Sequence, residues 1–168
     1  MATHRIPILG FGTIPDPDGE VYFNQYDSEG TNDVWNRLVC IFNDTSSRKG
    51  LHGGFVVPKN YVDTANLIIV WTSTATSGAV EWDFDYRAVG GNDTESLDQS
   101  GTQESVNGDD AAPSAAHERL EESIPLTDAN FSPDDEVEFT LFRDGSDAGD
   151  TMASGAILFS LMFEYNDA

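Results

Sequence analysis

The chain has 168 residues and a mass of 18.3 kDa, which suits one domain with a sizeable core. It carries 30 acidic and 8 basic residues, a formal net charge of -22 and a pI near 4.1. This charge repels the phosphates of nucleic acids and anionic lipids, so we expect binding to neither nucleic acid nor membrane. The chain has only two lysines, Lys49 and Lys59. Such an acidic, lysine-poor surface suits a halophilic setting, with a generally acidic protein as the equal alternative.

The single cysteine, Cys40, cannot form an internal disulfide, and its apolar neighbours in LVCIF (38–42) predict a buried thiol. The N-terminus lacks an apolar stretch long enough for a signal peptide, and no run of 18 apolar residues occurs. We therefore expect a protein made and folded in a cytoplasm, without a membrane span.

Residues 1–19 are apolar but interrupted by prolines and glycines, and we predict that they form an extended N-terminal arm. Its side chains Ile6, Ile8, Leu9 and Phe11 are candidates for contact with a neighbouring protein. Packing on the chain's own core is the alternative. A single domain would then occupy residues 20–168.

Alternation of apolar and polar residues with a period of two predicts the strands. Short strands are predicted at 21–26 and 55–58. Polar loops are predicted at 43–54 and 90–118, the second with room for one short strand near 103–106. The remaining predicted strands lie at 34–42, 66–74, 79–88, 119–126, 136–143 and 156–165.

The strand at 79–88 shows the clearest alternation, with one aromatic face and one charged face. We expect the aromatic face to lie in the core. The strands at 34–42 and 66–74 are instead apolar on both faces, which predicts burial between layers or against another subunit. The predicted interface residues are Trp35, Val39, Ile41, Ile68 and Val70.

Eight or nine strands without a convincing helix predict an all-β protein. The strand count favours an antiparallel jelly-roll sandwich of about eight strands. The paired cysteines around a tryptophan that mark an immunoglobulin domain are absent from the sequence.

No catalytic motif is found, and the three histidines are scattered. Glu81, Asp83 and Asp85 share one strand face, which could suit a glycosidase pair or a cation. A solvated outer face is the favoured interpretation, so we predict that the protein is not an enzyme.

Two other features could bind a ligand. Asp144, Asp147 and Asp150, spaced by three residues among glycines, could converge on Ca²⁺, although a plain turn is the simpler interpretation. Beyond this candidate Ca²⁺ site no cofactor is predicted. DPDGE (16–20) is a weaker fragment of the same kind. An exposed aromatic cluster for carbohydrate would draw on Tyr22, Tyr26, Trp35 and Tyr61.

The segments FVVPKNYVDTANLIIVWTSTATSGAVEWDFDYRAVGG (55–91) and EFTLFRDGSDAGDTMASGAILFSLMFEY (138–165) resemble small structural proteins of tailed viruses of bacteria and archaea. The chain is similar to their jelly-roll decoration, or cement, proteins. The resemblance rests on strand order and on phrases such as WTSTATSG and FRDG.

The resemblance implies a non-enzymatic virion protein, made in the host cytoplasm, that forms a homotrimer and stabilises the head shell by binding the major capsid protein. Two alternatives stay open. One is a carbohydrate- or receptor-binding tail or fibre module, and the other is a polysaccharide-active enzyme that uses Asp83 or Asp85.

Overall fold

The structure, a computed structural model, describes residues 1–9, 12–27, 36–90, 95–98 and 101–167. These residues form eleven strands and one 3-10 turn, at Asp128–Asn130, and include no α-helix. The strands are β1 Thr3–Pro7, β2 Ile14–Pro15, β3 Val21–Asp27, β4 Asn36–Phe42, β5 Arg48–Val56, β6 Tyr61–Thr72, β7 Ala79–Val89, β8 Glu104–Ala111, β9 Leu120–Pro125, β10 Glu136–Asp144 and β11 Ala156–Asp167. Within the described ranges, no helix could span a membrane.

The strands form two antiparallel sheets. One sheet has the order β3-β4-β11-β6-β9, with β1 also paired to β11. The other has the order β2-β5-β10-β7-β8. Strands β4 and β1 pair with the two ends of β11, at residues 156–158 and 162–166. The two sheets make the antiparallel jelly-roll sandwich that the sequence predicts.

The core lies between the sheets, and β7 supplies its aromatic centre. Val80, Trp82, Phe84 and Tyr86 are all buried, as the alternation predicts. The Trp82 ring meets Trp71 of the opposite sheet edge-on, with ring centroids 5.8 Å apart. Such pairs add to the free energy gained by burying the rings, so β7 anchors one sheet to the other.

The predicted N-terminal arm supplies β1 and β2 of the two sheets. Ile8 is only 5% exposed, and Ile6 and Leu9 pack against the core. Phe11 lies outside the described residues. The segment therefore packs on the chain's own core, which is the alternative given above. Ile6, Ile8 and Leu9 need no second protein to bury them.

The strands that are apolar on both faces are also covered within one chain. Val39, Ile68 and Val70 are buried in the monomer, and Ile41 is half-buried. Arg5 pairs with Glu164 beside it and with Glu121, and the Arg5–Glu121 pair crosses the row of side chains that contains Ile68. Trp35 lies outside the described residues. Burial at the predicted interface therefore does not require a trimer.

Two predicted loops are corrected. Residues 48–56 form β5, although 43–54 is predicted as a polar loop. Residues 104–111 form β8, which is longer than the short strand predicted near 103–106 inside the loop 90–118. Both strands are rich in glycine or in polar residues, so neither shows hydrophobic alternation. They form because the neighbouring strands β10 and β7 offer complete rows of backbone partners.

Candidate functional site

One row of side chains crosses all five strands of the second sheet. Backbone register places Ile14 beside His52, His52 beside Thr140, Thr140 beside Asp85 and Asp85 beside Ser105. The neighbours of Thr140 on β10 point into the core, so this row lies on the outer face of the sheet.

A groove of about 470 Å³ runs over this face. The polar side chains that line it are those of His52, Asp85, Arg87, Thr102, Glu138 and Thr140. The volume falls in the range of small-molecule and cofactor sites. Most of the polar lining comes from strands β5, β7 and β10, so the sheet fixes those side chains, whereas Thr102 lies just before β8.

His52 ties the groove to the loop that follows β2. Its Nδ1 lies 2.9 Å from Thr140 Oγ1, and its Nε2 lies 2.9 Å from Asp16 Oδ1. The Gly50 N–H donates to Asp16 Oδ2 at 2.7 Å. Asp18 of the same loop pairs with Lys49. The acidic DPDGE fragment is thus held against β5 by hydrogen bonds and an ion pair.

Arg48 is clamped by two carboxylates of β7. Its Nε donates to Asp83 at 2.7 Å, and its two terminal nitrogens donate to the two oxygens of Asp85 at 2.9 Å each. The guanidinium carbon lies 3.7 Å from the centroid of the Phe142 ring. Arg48 therefore forms a flat, stacked and neutralised group beside the groove.

The two carboxylates that hold Arg48 respond differently to their surroundings. Burial acts to raise the pKa of Asp85, but hydrogen bonds from Arg48 and Ser105 outweigh it and lower that pKa below its ordinary value. Burial raises the pKa of Asp83 despite the opposing charge of Arg48. Asp85 is therefore firmly ionised at neutral pH.

Glu81 does not lie on a solvated face, which corrects the sequence-based interpretation. It is 6% exposed, and its Oε1 accepts a hydrogen bond from Asn107 at 2.7 Å. Burial raises its pKa. With Asp83 and Asp85 both engaged by one guanidinium, the three carboxylates do not form the separated acid and base that glycoside hydrolysis needs.

Arg87 and Glu138 line another part of the groove. Arg87 donates to Glu138 Oε2 at 2.5 Å and to the Leu97 carbonyl at 3.2 Å. The Glu138 side chain is 60% exposed. Its carboxylate oxygens are thus open to a ligand in the groove.

Glycine at position 50 makes room for the aromatic ring on this face. A Cβ there would lie 2.8 Å from Phe142 ring atoms and from the Thr140 methyl group. Real Cβ contacts are longer, so any larger residue would displace the ring and the Arg48 guanidinium stacked on it. Gly50 therefore sets the shape of the Arg48 end of this face.

The three aspartates of the candidate Ca²⁺ loop each bond another group of the chain. Asp150 is paired with the buried Arg143 at 2.7 Å. Asp144 accepts hydrogen bonds from Ser146, and Asp147 accepts one from the Gly149 N–H. The three aspartates do not converge, and no group of metal-ligating side chains suited to an ion occurs in the described ranges.

The predicted aromatic cluster does not form in the groove. Tyr61 is buried in the core, and Tyr22 is exposed on the outer face of the other sheet. Tyr26 packs edge-on against Phe159, 4.8 Å between centroids, and its hydroxyl lies 2.8 Å from His117 Nδ1. Trp35 falls outside the described residues.

Sequence reasoning missed most of the groove. Arg48 and His52 stand in a segment predicted as a loop, so nothing assigned them to a face. Thr140 and Phe142 could have been placed, because the alternation through 136–143 puts them opposite the core residues. The sequence points only to Asp83, to Asp85 and to the DPDGE fragment that contains Asp16.

The chain matches no family model and no curated protein. Several solved structures share its fold. A family 35 carbohydrate-binding module from Clostridium thermocellum aligns with 97% of this chain and 98% of its own, at 12% identity and a TM-score of 0.53. A Stig cyclase, Fisc from Fischerella sp. TAU, aligns with 98% of this chain and 90% of its own, at 11% identity and a TM-score of 0.52.

An arabinose-bound α-L-arabinofuranosidase, MgGH51, aligns with 95% of this chain at 14% identity and a TM-score of 0.53. This chain spans only 24% of that enzyme. At these identities the likenesses establish a jelly-roll β-sandwich of the kind seen in carbohydrate-binding modules. The activity has to be argued from the site.

Proposed function

We propose that this chain is a non-catalytic carbohydrate-binding domain that holds a glycan in the groove on the five-stranded sheet. The observation that carries the proposal is the row of polar side chains across that sheet, with His52 and Thr140 at its centre. Hydroxyl and carboxylate groups fixed on strands can bind the hydroxyl groups of a sugar without further rearrangement, and His52 holds the Thr140 hydroxyl in place.

The fold supports the proposal. A family 35 carbohydrate-binding module matches the chain over nearly its full length. An open groove on a sheet, unlike a closed cavity, can admit one segment of a polymer. The groove volume of about 470 Å³ suits a few sugar units.

The carboxylates support a binding role over a catalytic one. Asp83 and Asp85 share Arg48, and Glu138 pairs with Arg87. A glycosidase needs one protonated and one ionised carboxyl group on opposite sides of the bond to be cleaved. No such pair lines the described groove, so we expect binding without hydrolysis.

The test is glycan binding by His52→Ala and Thr140→Val, measured by isothermal titration against a panel of soluble oligosaccharides. Each variant should weaken binding by about tenfold, which corresponds to about 1.4 kcal/mol. Thr140→Val removes a hydroxyl that can bond the sugar, and His52→Ala removes the imidazole that holds this hydroxyl in place. The oligosaccharides should remain intact after long incubation.

Asn24→Ala is the matched control, because Asn24 is exposed on the outer face of the other sheet. It should bind as tightly as the unchanged protein. All three variants should melt at a similar temperature. Equal affinity of His52→Ala, Thr140→Val and Asn24→Ala would refute a binding site in this groove.

A capsid decoration protein remains a prediction from the resemblance, and the trimer and the capsid partner remain predictions with it. If the chain belongs to a virion, a glycan-binding groove fits the alternative of a tail or fibre module. The groove would then recognise a host surface glycan. Binding of the purified chain to host glycans is the corresponding experiment.

A further inference from the structure

We infer that the ligand of the groove is a neutral glycan chain, bound through its hydroxyl groups, without a sugar ring stacked on an aromatic side chain. This inference rests on the proposed function and names its ligand class. Three features of the groove carry it: its matched cations, its exposed carboxylate and its covered aromatic ring.

Every cationic or imidazole side chain that the structure describes in or beside the groove already faces a carboxylate of this chain. Arg48 pairs with Asp83 and Asp85. Arg87 pairs with Glu138, and His52 lies 2.9 Å from Asp16. A carboxylate or sulfate group on a ligand would therefore have to displace an internal partner before it gained an ion pair.

The field in the groove also opposes an anionic ligand. Glu138 is exposed on its rim, and the chain as a whole has a formal net charge of -22. This charge repels an anion over about one Debye length, which is about 30 Å at 0.01 M salt and about 10 Å at 0.1 M salt. A neutral sugar is not subject to this repulsion.

Among the described residues, Phe142 lies on this outer face beside the groove, and its ring is covered. Phe142 lies over Gly50, and its solvent side is occupied by the Arg48 guanidinium at 3.7 Å. Two carboxylates hold that guanidinium in place. A sugar could stack on Phe142 only if three charge-assisted hydrogen bonds broke, a larger loss than stacking returns.

The groups left for recognition are hydrogen-bonding groups. The Glu138 carboxylate can accept from neighbouring hydroxyl groups of one sugar, and Thr140 and Thr102 can donate or accept. These groups fit a polyhydroxylated chain that carries no charge.

The experiment compares the oligosaccharide that binds best among neutral xylo-, cello- and manno-hexaoses with the same oligosaccharide bearing one glucuronic acid substituent. Each is titrated calorimetrically into the full chain at low salt and at about 0.5 M NaCl, where the Debye length falls to about 4 Å. The neutral Kd should change by less than about twofold. The acidic ligand should bind at least about fivefold more weakly at low salt, and the gap should narrow at high salt.

Phe142→Leu tests the absence of stacking, because leucine keeps apolar support beneath Arg48. Its affinity for the neutral ligand should stay within about twofold of the unchanged chain, whereas loss of a stacked ring would cost about tenfold. Tighter binding of the acidic ligand, or a tenfold loss in Phe142→Leu, would overturn the inference while leaving carbohydrate binding intact. If no hexaose of the panel binds, the proposed function fails and the inference fails with it.

Discussion

Arg143 is the residue on which the loop after β10 depends. Its side chain is 1% exposed, and it donates to both oxygens of Asp150 and to the carbonyl oxygens of Ser154 and Met152. A buried guanidinium without these partners would carry a large desolvation cost. Asp150 therefore has a structural role in the loop, where sequence alone suggested a cation ligand.

Asp150→Ala should lower the free energy of unfolding by about 3–5 kcal/mol, because the buried Arg143 then keeps only two carbonyl oxygens and the more distant Asp44, at 3.5 Å, as partners. Urea denaturation at neutral pH measures the change. The control is Asp147→Ala, whose carboxylate is exposed and which should cost less than about 1 kcal/mol. Equal losses in the two variants would contradict this role for Asp150.

The candidate site could be predicted only in part from single residues. The alternation in β7 placed Asp83 and Asp85 together on one face. It could not show that Arg48, 35 residues earlier in the chain, lies against Asp83. That contact depends on the register of β5, β10 and β7, which no local pattern encodes.

At the scale of one element, β9 places two glutamates in opposite environments. Glu121 faces outward and accepts hydrogen bonds from Arg119 and Arg5, which lower its pKa. Glu122 points toward the other sheet, where burial and the charges of Asp110 and Asp109 raise its pKa. Neighbouring positions of one strand thus contribute to stability with opposite signs.

The two signs predict opposite effects of removing the charge. Folding lowers the pKa of Glu121. Its ionised side chain therefore stabilises the protein at pH values above 4.5, and this stabilisation is lost as the pH falls through the pKa of the folded state. Folding raises the pKa of Glu122. Its protonated side chain therefore stabilises the protein at pH values below 4.5, and this stabilisation is lost as the pH rises through the pKa of the folded state. At pH 7, Glu121→Gln should therefore destabilise the protein and Glu122→Gln should stabilise it.

Urea denaturation of both variants at pH 7 and near pH 3 provides the measurement. Near pH 3 the Glu122→Gln difference should have vanished, since the glutamate it replaces is then protonated in both states. The Glu121→Gln difference should have shrunk. Destabilisation by Glu122→Gln at pH 7 would show that its charge is better solvated than the structure indicates.

Strand prediction succeeded where a buried face gave a strong pattern and failed elsewhere. The predicted strand 79–88 corresponds to β7 at Ala79–Val89, and 136–143 to β10 at Glu136–Asp144. By contrast, β8 consists mostly of polar residues, so that only a short strand near 103–106 is predicted there, and β1 lies in a proline-punctuated segment. Their strand conformation comes from pairing with β7 and β11, so tertiary structure decides it rather than local sequence.

At the scale of the whole molecule, charge is the dominant feature. The 30 acidic residues far exceed the 8 basic ones, so the chain carries a large uncompensated negative charge. Their mutual repulsion is larger in the compact chain than in the unfolded one. Salt should screen this repulsion more than it weakens the few ion pairs.

The melting temperature should therefore rise by several degrees between about 0.02 M and 0.5 M NaCl, and most of the rise should occur below about 0.3 M as the Debye length shortens. Differential scanning calorimetry measures it. A parallel series with sucrose controls for general cosolvent effects. A melting temperature that falls over this range would mean that local ion pairs outweigh the net charge.

The central claim is that the outer face of the five-stranded sheet is the glycan-binding surface. The most direct measurement is the change in backbone amide NMR shifts when the best-binding neutral hexaose is added. Saturable shifts should be confined to β5, β10 and the second half of β7, around His52, Thr140 and Asp85. Shifts clustered on β3, β4 and β11 of the other sheet, or none at millimolar ligand, would contradict the account.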